Sequence, residues 1–194
     1  MTDYERLTDY LDGKSGKTLD IKGASLVNID LSGDDLSKLD FTGSDMSQSG
    51  FVGTNLSEAN LNNVNLSKAQ MGVSNLKNAK LDGANLTETN LQKSDLTKAS
   101  LVNANMYEAN LIEANLCDAN LQGANLSKAA LWGTDFSGAN LRDVNLEGAG
   151  ITDCNFSATN LVGANLKGIM LSGDNKFDGA VITKEQLKYL NPDI

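Results

Sequence analysis

The chain has no histidine among its 194 residues, only two cysteines and a single tryptophan. Without histidine it lacks the side chain that serves most often as a general acid or base and as a transition-metal ligand. Two cysteines do not build a disulfide framework, so we expect Cys117 and Cys154 to be free thiols of a cytoplasmic protein. No apolar run reaches about 18 residues and no apolar segment opens the chain, so we expect neither a membrane span nor a secretory signal. These absences predict a non-enzymatic protein that uses no metal and no cofactor.

The large apolar residues recur instead with a period of five. From Ile21 to Leu171 every fifth residue is Leu, Ile, Met or Phe, which gives 31 consecutive central residues. A helix has a period of about 3.6 and a strand a period of about 2, so this pattern indicates a repeat architecture. A small residue stands two places before most central residues, and Asn or Asp stands directly before most of them. The two following places are polar, charged or Gly in most repeats, so only the central and the small positions are predicted to be buried.

This unit resembles the pentapeptide repeat family, whose signature is A(D/N)LXX. Residues 109–113 read ANLIE and residues 114–118 read ANLCD, and both match the signature letter for letter. The resemblance covers about four-fifths of the chain. It implies an all-β solenoid, a right-handed quadrilateral β-helix in which four pentapeptides form one coil and residues 20 apart lie above one another. The chain would then form about eight such coils.

The central residues form four unbroken columns when the sequence is written in steps of 20. Burying one aliphatic side chain contributes roughly 1.5–3 kcal/mol, so this core needs neither disulfides nor a metal. The small residues are required because a narrow tube has no room for two large side chains per side. The predicted core includes the leucines of two of the columns: Leu61, Leu81, Leu101 and Leu121, together with Leu111 and Leu131.

Both ends of the repeat carry signals for short helical caps. Residues 2–12 place apolar side chains at helical spacing, with Thr2 as the N-cap. At the other end the register breaks, because Lys176 occupies a central position and Phe177 follows one place late. Residues 183–186 then form a capping box. We therefore divide the chain into an N-terminal helical cap (1–16), a β-helix (17–173) and a C-terminal cap with a short helix (174–194).

One carboxylate departs from the inward pattern. Asp34 takes a small inward position in the second coil, beside Asp35, where most other repeats carry Ala, Ser or Thr. We expect a distortion of the coil edge at this position rather than a catalytic acid. The remaining carboxylates lie mostly at outward positions, where solvation explains them.

Function must therefore reside in the outward positions, and one coil stands out among them. It places an apolar residue before a polar one at every turn, and the next coil sets Trp132 directly above Ile112. An exposed Trp beside Ile, rimmed by charge, is typical of an interface anchor. The alternative is that isolated exposed apolar residues are ordinary. The candidate partner-binding patch comprises Val102, Tyr107, Glu108, Ile112, Glu113, Asp118 and Trp132.

Two classes of function follow from the resemblance. The first is a scaffold or protein-interaction module that binds a protein partner, whose identity the sequence does not give, through its outward faces. The second is a DNA mimic that inhibits or protects DNA gyrase or topoisomerase IV, as quinolone-resistance members of the family do. The net charge of −9 disfavours direct binding to nucleic acid or to an anionic membrane.

Charge and repeat style favour the interaction module over the mimic. A DNA duplex of equal length would carry about 20 charges, well above the −9 of this chain. The uninterrupted, leucine-centred repeat is similar to many bacterial, especially cyanobacterial, members without an assigned activity. The sequence is also compatible with a homodimer formed through an end cap or through the Trp132 patch.

Overall fold

The computed structural model describes residues 1–14 and 19–190. It contains helix α1 (Asp3–Leu11), strands β1 (Gly150–Thr152) and β2 (Met170–Ser172), and helix α2 (Lys184–Leu190). Between the helices the backbone repeats one pattern, in which an extended segment ends at each central residue and a two-residue turn follows. Four such sides make one coil of 20 residues. The predicted boundary between residues 16 and 17 lies outside the described residues.

The coils stack in the predicted 20-residue register. Parallel bridges join residues 20 apart from Ser25 and Asp45 to Asn145 and Asn165. In a representative bridge, the N–H of Leu101 donates to the carbonyl of Asn120 at 2.7 Å, and the N–H of Asn120 donates to the carbonyl of Ala99 at 2.9 Å. Most bridges are isolated because each side is only about three residues long before the chain turns. β1 and β2 are the longer pairing, in parallel and in the same 20-residue register.

The interior is filled as the sequence predicts. All central residues from Ile21 to Leu166 are buried, and Leu171 at the end of the series is half-buried. The six predicted core leucines are 0% exposed. Where Ser or Thr replaces Ala at a small position, its hydroxyl is satisfied by the backbone, as when Thr54 Oγ1 donates to the carbonyl of Leu31 at 2.7 Å. The core therefore alternates one large and one small side chain per side.

The second residue of each corner turn has a positive φ, which glycine adopts without steric cost. At Gly83, for example, φ is +67° and an added Cβ would lie 2.6 Å from Asn63 Oδ1 of the coil before. Many corners nevertheless carry Asn, Lys, Glu or Asp in this conformation, and Val73 adopts it with φ of 60°. The corners thus tolerate side chains that the interior does not.

Helix α1 covers the first coil. Thr2 and Glu5 form a capping box at its start, and Leu7 is fully buried against the core. Asp3 Oδ2 accepts a hydrogen bond from the N–H of Ser25 at 2.9 Å, which fixes the helix to the coil. The predicted helix and its N-cap are confirmed, although Tyr4 stays 38% exposed.

At the C-terminal end the register break is a one-residue insertion. Asn155 pairs with Lys176, 21 residues away, and Phe177 takes the inward place. Its ring stacks on Phe156 with a centroid separation of 5.1 Å. The capping box of Thr183 and Gln186 is present at the start of α2. Gln186 is buried, and its Nε2 donates to the carbonyls of Leu161 and Ala164, so α2 covers the last coil.

Asp34 keeps the regular coil geometry, so the expected edge distortion is wrong. Its N–H donates to the carbonyl of Leu31 at 3.2 Å, and its own carbonyl accepts from the N–H of Asn55 at 2.9 Å. The effect of the inward position is seen in the ionisation of the side chain instead. Desolvation, and secondarily the charges of Asp30 and Asp12, raise the pKa of the Asp34 carboxyl above its ordinary value. The β-helix backbone thus tolerates a carboxyl at a small position.

Over the part of the chain that the structure covers, none of the helices has the length and apolar character that a membrane crossing requires.

Replacing Leu101 by Ala should destabilise the protein by about 2–5 kcal/mol, because the surrounding coils cannot collapse fully into the cavity. Urea unfolding followed by circular dichroism measures the change. Gln122→Ala, at an exposed turn position one coil on, should stay within about 0.5 kcal/mol of the parent. Equal losses for the two variants would contradict the assignment of an inward and an outward position.

Asp34→Asn should raise the melting temperature at neutral pH. The raised pKa of Asp34 in the folded state means that ionisation disfavours folding, so the penalty is present above that pKa and fades as the pH falls through it. The gain from the substitution should therefore shrink as the pH falls to about 4 and below. Thermal melts of both proteins across this pH range measure it. A gain that is independent of pH would show that charge is not its cause.

Candidate functional site

The structure distributes the predicted patch over four corners of the square coil. Val102, Tyr107, Ile112 and Cys117 each begin a different turn, so they point away from the rod in different directions. Of the seven predicted residues, Ile112, Glu113 and Trp132 share one corner column. The side of the rod with central residues Leu111, Leu131, Ile151 and Leu171 ends at this corner, and we call it the Trp132 side.

Tyr107 and Glu108 belong to a separate cluster at the preceding corner. Lys128, one coil on, donates from Nζ to Tyr107 OH at 2.7 Å and to Glu108 Oε1 at 3.4 Å. The ammonium also lies 5.1 Å from the centroid of the Tyr107 ring. The hydrogen bond to Tyr107 raises the pKa of Lys128. Tyr107 is half-buried and already engaged within the chain, so it is a weaker anchor than the sequence indicates.

Trp132 is the exposed aromatic of the predicted patch. Its side chain is 54% exposed, while Ile112 one coil below is half-buried. Glu113 at the same corner lies 3.5 Å from Lys93 Nζ in an exposed ion pair. Such pairs contribute little to stability.

The patch predicted from the sequence did not include three residues that lie beside Trp132. On most sides the residue directly before the central one is Asn or Asp, and we call this place the ladder position. Asn110 occupies it on the Trp132 side: its Nδ2 donates to Asn90 Oδ1 at 3.3 Å, and its Oδ1 accepts from the N–H of Ile112 at 3.1 Å. The next three coils replace the polar residue by Ala130, Gly150 and Met170. This loss of three successive polar residues was visible in the sequence.

Gly150 is where two exposed side chains meet. A Cβ added at this glycine would lie 3.3 Å from Trp132 Nε1 and 3.9 Å from Met170 Cε. Met170 is 64% exposed. The indole and the thioether therefore cover the same glycine from the two neighbouring coils, and together they form an apolar surface.

The same side also carries the longer strand pair. β1 and β2 extend past their central residues to Thr152 and Ser172, whose hydroxyl oxygens lie 2.6 Å apart. The pairing of these two coils therefore continues one residue past the central residue.

The thiols are not activated. Burial raises the pKa of Cys154, an inward residue whose Sγ contacts the carbonyl of Leu131. Burial also raises the pKa of Cys117, which lies at an outward position with its Sγ 3.1 Å from Ser137 Oγ. Both sulfur atoms are thus held as thiols. Among residues 1–14 and 19–190, no cluster of His, Cys, Asp or Glu is arranged to hold a metal ion.

A family model described as "Pentapeptide repeats" matches this chain in eight overlapping copies. The matches cover residues 20–51, 40–77, 74–111, 104–148, 119–157 and 149–173. No curated protein matches.

Several solved structures resemble the chain. HetL, a pentapeptide repeat protein involved in heterocyst differentiation regulation from the cyanobacterium Nostoc sp. strain PCC 7120, is 28% identical over 95% of this chain and 98% of its own, with a TM-score of 0.39. Rfr23 from the cyanobacterium Cyanothece 51142 is 32% identical over 64% of this chain and 91% of its own, with a TM-score of 0.47. Full-length QnrB1, a plasmid-mediated fluoroquinolone resistance protein, is 17% identical over 86% of this chain and 97% of its own, with a TM-score of 0.49.

Proposed function

Because this chain belongs to the pentapeptide repeat family, we propose that it is a non-enzymatic scaffold that binds a protein partner through its outward faces. Members of this family are right-handed quadrilateral β-helices, and the four-sided stack of coils described above has that architecture. The observation that carries the proposal is the indole of Trp132, which is 54% exposed and stands one coil above the half-buried Ile112. Aromatic side chains that become buried when a partner binds contribute much of the binding energy of protein interfaces.

The arrangement of the side chains supports a non-enzymatic role. The interior is a continuous apolar core. The outward carboxylates accept hydrogen bonds from the turns, as Asp95 does from the N–H of Thr97, or pair with lysines of neighbouring coils. These contacts engage the charged groups within the rod itself. What remains free for a partner is a set of outward side chains held at fixed spacing by a stiff backbone.

Trp132→Asp should remove partner binding and leave the fold intact, because the side chain is 54% exposed. Affinity capture from a cell extract, followed by mass spectrometry, compares this variant with the parent protein. Val27→Asp is the matched control, since it places the same charge at an exposed turn position on another side of the rod. A partner retained by Val27→Asp and lost by Trp132→Asp supports the proposal. Loss of the β-helix circular dichroism signal in Trp132→Asp would show instead that the residue is structural.

The DNA mimic is the second candidate, and the acidity of residues 101–150, with six acids and two bases, is the observation that favours it. The lysines weigh against it. Those at the corners neutralise carboxylates of adjacent coils, as in the pairs Lys68–Glu88, Lys93–Glu113 and Lys128–Glu108. A continuous acidic track, which a duplex presents, is therefore interrupted.

A gyrase supercoiling assay with and without a fluoroquinolone separates the two functions. We expect no change in supercoiling when the protein is titrated, because its charge of −9 is well below the about 20 charges of an equally long duplex. A parallel titration of QnrB1, which is described as a fluoroquinolone resistance protein, is the positive control. Inhibition of gyrase, or rescue from the drug, at low micromolar protein would establish the mimic in place of the scaffold.

A further inference from the structure

We propose that the Trp132 side carries the docking surface, and that its partner is a basic amphipathic helix of another protein. This inference rests on the proposed scaffold function and gives it a location and a partner chemistry. The surface, which we call the apolar strip, consists of Ile112, Ala130, Trp132, Gly150 and Met170. It runs along the rod axis over four successive coils.

The strip is continuous because its two largest side chains converge. Trp132 Nε1 and Met170 Cε both lie within 4 Å of the point that a Gly150 Cβ would occupy. A Cβ at position 150 would stand tighter against the indole than ordinary van der Waals contact, so the ring would have to shift by a few tenths of an ångström. The glycine is not required by the backbone, since its φ lies outside the left-handed region that favours glycine. Its effect is to seat the two apolar side chains.

The strip also breaks the local rule that stabilises the rest of the rod. On other sides the ladder Asn or Asp accepts a hydrogen bond from the turn N–H and binds a neighbouring coil. Asn125, for example, accepts from the N–H of Ser127 and donates to Asn105 of the coil before. Ala130, Gly150 and Met170 cannot make these bonds. Within the described residues the N–H of Trp132 has no protein acceptor. Departures from a local stabilising pattern are expected at functional sites.

The partner cannot add as a β-strand, because the backbone of this side is already paired. Gly150 N–H donates to the carbonyl of Ala129 at 3.0 Å, and its carbonyl accepts from Leu131 N–H at 2.9 Å. Contact must therefore come from side chains. The strip spans three coil spacings of about 4.8 Å, or roughly 14 Å. That length corresponds to about nine or ten residues of helix at 1.5 Å per residue.

The flanks of the strip select a basic partner. The corners on its two edges, with the adjoining Asp174, carry an excess of carboxylates. Glu108 and Glu113 are paired with lysines, which leaves Glu147, Asp153 and Asp174 against Lys167. Lys93 reaches Glu113 from the coil before the strip. A second copy of the chain would bring these carboxylates against one another. Charge complementarity thus favours a helix whose apolar stripe is flanked by Lys or Arg.

Trp132 is the single tryptophan, so its fluorescence reports on the strip directly. The probe is a synthetic helical peptide without Trp, with leucines at i, i+4 and i+7 flanked by lysines. A twin peptide carries glutamates in place of the lysines. We expect the lysine peptide to shift the Trp132 emission to shorter wavelength in a saturable titration. The glutamate twin should bind weaker by a factor on the order of ten or more.

Two variants keep the reporter and remove the surface. Gly150→Asn restores the ladder residue and places a polar side chain between the indole and Met170, and Met170→Asp places a charge at the end of the strip. Each should weaken binding of the lysine peptide about tenfold or more. Val27→Asp, on another side, should leave the affinity unchanged. Circular dichroism checks that all three variants retain the fold.

Several results would overturn the inference. They are the absence of binding by the lysine peptide, equal binding by the glutamate twin, and equal loss of affinity in Val27→Asp. Sedimentation velocity tests whether a second copy of the chain covers the strip. A dimer of the parent protein that dissociates in Gly150→Asn would show that it does, and would overturn the helix of another protein. A captured protein that binds Gly150→Asn and the parent equally would leave the scaffold function standing and overturn only this location.

Discussion

The interior of the coil has room for only one large and one small side chain on each side, and the rest of the structure depends on this constraint. Adjacent coils are held at the spacing of paired strands by bonds such as Leu101 N–H to the Asn120 carbonyl, so neither residue can move outward without breaking a bridge. A large side chain at the central position is therefore matched by Ala, Ser, Thr or another compact residue at the small one over most of the rod, and the larger Ile29 and Leu39 near its N-terminal end are only half-buried. Hydroxyls are accepted there because a backbone carbonyl lies within reach, as for Thr134 and Leu111. The period of five is the consequence of this volume limit, repeated around a square.

Like the turn positions, the ladder position can vary without damage to the core. Its usual Asn or Asp performs two tasks, since it accepts a hydrogen bond from the following turn and binds the equivalent residue one coil away. Removing it weakens the outside of the coil and leaves the inside unchanged. For this reason the change to Ala130 and Gly150 alters the surface of one side, while Leu131 and Ile151 behind it remain buried.

The core, the 20-residue stacking and both caps could be predicted from the sequence, because each depends on a pattern along the chain. The period of five predicts which residues are buried. The capping boxes of Thr2 with Glu5 and of Thr183 with Gln186 predict the two helices. The surface patch could be predicted only in part. Grouping residues by coil joined Val102 to Trp132, although successive turns face different directions. The neighbours of an outward residue lie 20 positions away, so the surface must be traced along the rod axis. The seat of the indole over Gly150 depends on a rotamer, which no periodicity encodes. Asp34 shows the converse, because a residue that violates the pattern kept the regular backbone.

A repeat of this regularity separates stability from recognition in space. The inward residues are nearly uniform from coil to coil, so they carry no information by which a partner could distinguish one coil from another. Discrimination must come from the few outward places where the pattern fails. On the Trp132 side the failure is consistent over three coils: polar ladder residues disappear, a glycine stands where a larger residue would fit the backbone, and two large apolar side chains cover it. A random loss of ladder residues would scatter such changes over the four sides. The lost ladder residues lie instead on one side, next to the single tryptophan. Such clustering is expected of a contact surface.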